Sequence, residues 1–328
     1  MVLASTYNGY LGFVKQAAQG TALAPTKFVK FLSPVKMDAE QEINIYPEGG
    51  GGFYNAVAQK KLHKVGGSFD CNLAPEIGGA LFAYFLGADA ITGAAVPYTH
   101  TLTPARPLPW LTIERGLKTN LKTERAFDVR LGKLGLEGKA GEPLKLSVDF
   151  TGAQSSLFAT NATDTYETTR AWTFMDGTFT LLGGAYTKIS GFKLELDNNL
   201  ETDVQTTEVY LQEVPPGKLV GKFSFDIVYD SADVNYAMIL FGAGLTIVET
   251  LATGTAVLAF TYGATTLLRS ATFTIPAGGL VYRGMTDPAP GPEPKTLRQT
   301  IVCDIIKLVG SEYITAAFNN AMATSYFA

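Results

Sequence analysis

The chain has 328 residues, 46% of them hydrophobic and 17% charged, which is more than one hydrophobic core usually serves. That balance excludes a globally disordered chain, and 20 Phe and 15 Tyr beside frequent Thr and Val lean towards β-structure. A net charge of −4 excludes a protein that grips nucleic acid by neutralising its phosphates, though not one that lets nucleic acid pass unheld.

Residues 1–20, MVLASTYNGYLGFVKQAAQG, have no basic segment followed by a continuous apolar run, so they read as an N-terminal arm rather than a signal peptide. Short β-type runs follow, among them TKFVKFLSPVKM and INIYP. Residues 47–67, around EGGGGFYNAVAQKK, read as a long loop. EGGGG has neither the Lys-Ser/Thr of a phosphate loop nor the strand–helix setting of a dinucleotide turn. GSFDCNL alternates as a strand. Pro75 then suits a first helical turn, where its missing N–H costs nothing, and Glu76 suits the positive end of the helix. Ile77, Leu81 and Phe85 fall four apart on one packing face, and Gly87 stands where helices commonly close. Gly78 and Gly79 lie inside that helix, away from its amide-rich end, and mark close packing rather than a phosphate site.

THTLTP, WLTIERG, FDVRLGKLGLEG and PLKLSVDFTG continue the strands of a first unit over residues 21–154. The polar stretch 155–168 reads as a linker, and residues 169–328 as a second unit. There TFMDGTFTLLGG, KISGFKLELDNNL, EVYLQEV and FSFDIVYD are the strand candidates. A second packing helix carries Val234, Met238 and Phe241 between Ser231 as N-cap and Gly242. The uncharged run 250–268 is long enough to span a bilayer, yet it holds six Thr and two Gly and reads as β-structure, so no membrane insertion is expected. ATFTIP and RQTIVCDIIKL follow, with a loop at 287–295 between them.

The two units echo each other. KMDAEQEINI from Lys36 returns as KLELDNNLET from Lys193, 157 residues on; Ser68 of GGSFD returns as Ser224 of KFSFD, 156 on. FLGA with Gly87 and LFGA with Gly242 lie 155 apart, as do LSVD ending at Asp149 and IVCD ending at Asp304. Four matches in one order at a nearly constant offset point to a duplicated unit.

Catalytic chemistry finds few residues to work with. There are two histidines, His63 in the basic KKLHK and His100 in the alternating YTHTLTP, and no GxSxG. Cys71 and Cys303 sit in apolar or alternating runs as small buried hydrophobes. The acidic groups at 36–42 and 196–203 lack EF-hand spacing and read as exposed acidic faces. Neither an enzymatic activity nor a cofactor or metal is expected.

The blocks KFVKFLSPVKMDAEQEI, KLHKVGGSFDCNLAPEIGGALFAYFLGA, THTLTPARPLPWLTIERG, LGKLGLEGKAGEPLKLSVDFTGA, ISGFKLELDNNLE and KFSFDIVYD, in that order, resemble the tail tube proteins of long-tailed bacteriophages, in their branch of roughly 300 residues. The resemblance implies a mainly β fold, here two tandem β-sandwich or barrel units each with a flanking helix. It also implies stacked rings that form a tube in the virion tail, assembled in the host cytoplasm. With two units per chain, three chains supply six, giving a trimeric, pseudo-hexameric ring; a hexamer of chains is the alternative. Implied partners are further copies of the chain, a tape measure and tail-tip proteins, and viral DNA passing through an acidic or neutral lumen without specific binding. Ring-stacking contacts fall to the two long loops in equivalent places, 47–67 with Glu48, Phe53, Tyr54, Lys60, Lys61 and His63, and 201–217 with Glu201, Asp203 and Glu208. The basic end of the first and the acidic second favour electrostatic pairing between rings. The alternatives are a contractile-tail or secretion-system tube and, from another class, a carbohydrate-binding or adhesin β-sandwich. Trp110 and Trp172, both in strand-like runs, read as core rather than as a sugar platform.

Overall fold

Alternation of apolar and polar side chains places one face of a strand in the core and the other in solvent, and the stretches Val220–Val228, Arg298–Ile305 and Thr315–Asn320 show that pattern. The computed structural model describes residues 9–46, 57–117, 122–158, 160–181, 184–204, 210–228, 253–285 and 298–328. The first half contains β1 (Gly9–Lys15), β2 (Lys27–Val29), β3 (Lys36–Tyr46), β4 (Val57–Asn72), α1 (Pro75–Leu86), β5 (Gly87–Thr92), β6 (Tyr98–Pro104), β7 (Leu111–Leu117), β8 (Lys122–Lys139) and β9 (Lys145–Phe158). The second contains β10 (Gly177–Leu181), β11 (Gly184–Tyr186), β12 (Ile189–Asp197), β13 (Val220–Val228), β14 (Thr253–Tyr262), β15 (Arg269–Met285), β16 (Arg298–Ile305) and β17 (Thr315–Asn320).

Eight antiparallel strands form the central sheet, in the order β3-β4-β9-β8-β12-β13-β16-β15. Two long strands leave it. The N-terminal part of β8 carries β7, which pairs with β1 and through it with β2. The N-terminal part of β15 carries β14, β10 and β11 on one side and β17, β6 and β5 on the other.

Registers in the two halves run in step. Lys36 faces Ser68 across β3–β4, and Lys193 faces Ser224 across β12–β13. Ser68 in turn faces Asp149, and Ser224 faces Val302. β8 slips by one residue against β9 between Leu131 and Lys133; β15 slips against β16 between Tyr282 and Gly284. A further irregularity falls between Leu111 and Ile113 of β7, and another between Gly254 and Ala256 of β14.

Helix α1 begins at Pro75 and ends at Gly87, whose left-handed φ of 104° suits a residue without a Cβ. The expected single packing face is too narrow a description. Leu81 and Phe85 are buried and Ile77 packs at the margin, but every residue from Gly78 to Leu86 is buried, because strands of both halves and the C-terminal segment enclose the helix. The Gly78-Gly79 pair has the expected reason. A Cβ on Gly79 would lie 2.0 Å from the Tyr326 hydroxyl, and one on Gly78 would lie 2.6 Å from Leu73 Cδ1. The counterpart residues Val234, Met238 and Phe241 lie outside the described residues.

Several boundaries move. The loop expected at 47–67 is strand from Val57 onward, because β3 extends to Tyr46 and gives residues 57–67 a cross-strand partner. The N-terminal arm contains β1, paired on both edges. The linker expected at 155–168 is strand as far as Phe158, and beyond it Ala162 donates its N–H to the Tyr10 hydroxyl at 2.8 Å. EVYLQEV is not a strand in its described part, where Tyr210 makes an isolated bridge to His63.

Candidate functional site

The sheet's outward face is a broad surface of charged side chains. On β3 it presents Lys36, Asp38 and Glu40, while Met37 turns inward. On β8 it presents Lys133 and Glu137, with Leu134 and Leu136 buried between them; β12 repeats the pattern with Lys193 and Glu195 around Leu194. Positive and negative groups interleave and pair across the surface. Lys145 lies 3.0 Å from Asp70, Lys133 3.5 Å from Asp197, Lys193 2.6 Å from Glu195, and Arg283 3.7 Å from Asp304. Partial burial pushes the Asp70 carboxyl up, but hydrogen bonds from Ser147, Lys145 and Ser33 outweigh it and hold the group below the usual carboxylate range. Burial pushes Asp149 up. The face is thus not simply acidic. Lys133, Lys145 and Lys193 are each paired with an adjacent carboxylate, so an approaching polyanion finds much of the positive charge compensated.

The described stacking-loop residues lie together at one end of this sheet. Lys60, Lys61 and His63 belong to β4, where the β3–β4 hairpin extends past the rest of the sheet, and its outer part exposes Ile43 (59%) and Ile45 (57%). Lys61 lies 2.9 Å from Glu42, and Lys64 3.5 Å from Glu40. His63 is half-buried rather than on a solvated rim, its ring edge-on to Tyr210 at 5.6 Å, and burial lowers its pKa. Its carbonyl accepts the Leu211 N–H at 3.1 Å. Glu201 and Asp203 are exposed in the segment that leads to this contact, which therefore packs on the first hairpin of its own chain. Glu48, Phe53, Tyr54 and Glu208 lie outside the described residues.

Buried polar groups brace these surfaces. Glu114 and Arg125 face each other across β7–β8, both buried; the carboxylate accepts Arg125 Nε–H at 2.7 Å and also the Tyr10 hydroxyl. Arg130 stacks on Trp110 at 3.7 Å and donates to the Val214 carbonyl at 2.7 Å, tying the 210–216 segment to β8. Trp110 is thus a half-buried partner of an arginine, whereas Trp172 is core. His100 is buried, with Nδ1 3.1 Å from Asp89 and Nε2 3.0 Å from the Met322 carbonyl. Sequence reasoning passed over Glu114 and Arg125, although charges inside the alternating WLTIERG and FDVRLGKLGLEG neighbourhoods were the available signal. Burial pushes the Cys71 and Cys303 thiols up to about 12, as suits inert core residues. Among the described residues, no three His, Cys, Asp or Glu side chains cluster as a metal site, and no helix is long and apolar enough to cross a membrane.

The chain is a mainly β, sheet-built protein whose central sheet has one core face and one face of interleaved charges. The family described as phage tail tube protein matches residues 6–303, and the chain belongs to that family. A comparison with curated proteins finds no match. The family implies a structural role in the virion tail, in association with other tail proteins.

Proposed function

We propose that the chain is two copies of one tube-building unit and that three chains close into a pseudo-sixfold ring. Such rings stack into a hollow tube whose lumen is lined by the charge-interleaved sheet face and through which viral DNA passes. The observation that carries this reading is the recurrence of one pairing scheme. β2-β1-β7-β8-β9-β4-β3 has its counterpart in β11-β10-β14-β15-β16-β13-β12. The irregularities of β8–β9 and β7–β8 recur at corresponding places in β15–β16 and β14–β15, whereas those of β3–β4 and β12–β13 fall at different places. On this alignment Val302, and not Asp304, takes the place of Asp149, so the sequence match between LSVD and IVCD is two residues out of register. The interleaved charges suit a conduit, because DNA sliding past neutralised lysines releases few counterions and is not held.

Electron microscopy of the purified protein at high concentration tests the reading. Tubes whose averaged end-on view has threefold symmetry with six similar lobes are the expected result. Discrete monomers under assembly conditions overturn it, and six chains per ring would overturn the trimer. Tape-measure and tail-tip proteins are the partners this reading gives to the ends and interior of the tube.

A further inference from the structure

The central sheet ends in two unlike edges, β3 at one side and the C-terminal part of β15 at the other. We infer that these edges join between successive copies of the chain. β3 of one copy pairs antiparallel with β15 of the next, with Ala39 opposite Met285 and Glu40 opposite Gly284. This rests on the tube reading above and specifies its joint.

The register comes from a joint the chain already makes once. β12 pairs with the C-terminal part of β8, with Leu196 opposite Leu134 and Asp197 opposite Lys133. β3 stands to β4 as β12 stands to β13, with Lys36–Ser68 matching Lys193–Ser224. β15 stands to β16 as β8 stands to β9, with the slip before Gly284 matching the slip before Lys133. Carrying the internal joint across these two correspondences takes Asp197 to Glu40 and Lys133 to Gly284. Both counterparts are open to a further strand at this register: among the described residues β3 pairs with β4 alone, with Arg115 donating only to the Val35 and Met37 carbonyls, and β15 from Tyr282 to Met285 pairs with β16 alone. Each internal joint is therefore expected to alternate around the ring with one joint between chains.

Physical chemistry favours a second copy as the occupant. An open edge presents unpaired N–H and C=O groups, which another strand of matching register satisfies. The two edges differ, so the contact is head-to-tail and closes into a ring when the rotation per chain divides a full turn. Charge agrees, because the exposed Arg283 is brought to the Glu40–Glu42 stretch. A Cβ at Gly284 meets nothing within 4 Å, so the site accepts a side chain.

Cysteine pairing in the full-length protein tests the register. Glu40→Cys combined with Gly284→Cys is expected, on oxidation of assembled tubes, to yield covalent dimers and a closed trimer on denaturing gels. Directly opposed strand residues bring their Cβ atoms about 4.5–5.5 Å apart. Asp38→Cys with Gly284→Cys, two residues out of register, is expected to cross-link at least ten-fold less. An assembled Glu40→Cys/Gly284→Cys variant without interchain bonds, or equal cross-linking by both pairs, overturns the register. If the variants do not assemble, amide exchange on the unmodified protein decides. More than ten-fold slowing at 38–41 and 283–285 in tubes supports the joint, and unchanged exchange there overturns it. Microscopy of the unmodified tubes reports on the tube reading separately, so the two failures are distinguishable.

Discussion

The Glu167 carboxylate accepts the backbone N–H of Ile77 at 3.0 Å, although 90 residues separate the two. Its other oxygen accepts the Glu76 N–H, also at 3.0 Å, and Thr169 hydrogen-bonds to the same group. Ala74, at the N-cap, provides no side-chain bond, so orphan donors at the start of α1 are satisfied by a residue far along the chain. The stretch that reads as a linker thus fastens the helix.

Replacing Glu167 with Ala is expected to lower stability by about 1–2 kcal/mol, in the range of a lost helix cap, measured by denaturant unfolding. Burial pushes the Glu167 carboxyl up more than its hydrogen bonds draw it down. The folded state therefore binds its proton more tightly than the unfolded chain. Its contribution to stability falls as pH rises through the unfolded value and is level above the folded one. Glu167→Gln should remove that slope; an unchanged slope would show that another group causes it.

Gly79→Ala places a methyl against Tyr326 in a helix with no free side. The expected loss is about 1–3 kcal/mol, although alanine is the better helix former in isolation. Combining it with Tyr326→Ala should cost less than the sum of the single changes. Strict additivity in a double-mutant cycle would count against the contact.

Asp176 receives two hydrogen bonds from the Arg170 guanidinium, at 2.7 and 2.8 Å, and one from the Thr173 N–H at 2.8 Å. The Arg170 bonds chiefly hold its carboxyl down to about 2, against partial burial. The lowered folded value means that this stabilisation is complete above the ordinary carboxylate pKa and is lost as pH falls towards 2. Asp176→Asn should therefore lower the melting temperature at pH 6 and converge with the unmodified protein near pH 2. Parallel melting curves across that range would refute the assignment.

His100→Ala leaves the Asp89 carboxylate in the core without its histidine. Leaving a buried acceptor without one of its hydrogen-bond partners costs about 1–3 kcal/mol. Asp89 also accepts the Tyr326 N–H at 2.9 Å and the Ser325 hydroxyl at 2.9 Å, so the C-terminal segment should loosen too. Faster amide exchange at residues 322–327 is the expected signature. Exchange equal to that of the unmodified protein would place the His100 contribution elsewhere.

For the conduit itself, Asp149→Lys with Glu195→Lys adds cations to the interleaved face. Tubes of that variant are expected to retain duplex DNA at low salt in co-sedimentation and release it as salt rises. No retention would mean that this face does not line the channel.

Much of the local structure was legible in the sequence. Alternation located the strands of WLTIERG, PLKLSVDFTG and FSFDIV, and Pro75 and Gly87 bounded α1. β1 and β17 were missed because GYLGFVK and TAAFNN carry weak alternation and acquire their strand form from neighbours on each side. The boundary at Val57 was missed for the same reason: a Gly-rich approach conceals a strand whose partner, β3, is longer than its sequence predicts.

Side-chain alternation, Pro and Gly act over a few residues through backbone sterics and the period of the strand, so the sequence alone determined the β class, the helix and its ends, and the family resemblance. Which strands meet, and which buried charges find each other, depends on burial and pairing among segments far apart in the chain. Only the tertiary structure could therefore join β8 to β12, set Glu114 against Arg125, bring Glu167 to the first turn of α1, and leave β3 and the end of β15 as the sheet's two open edges.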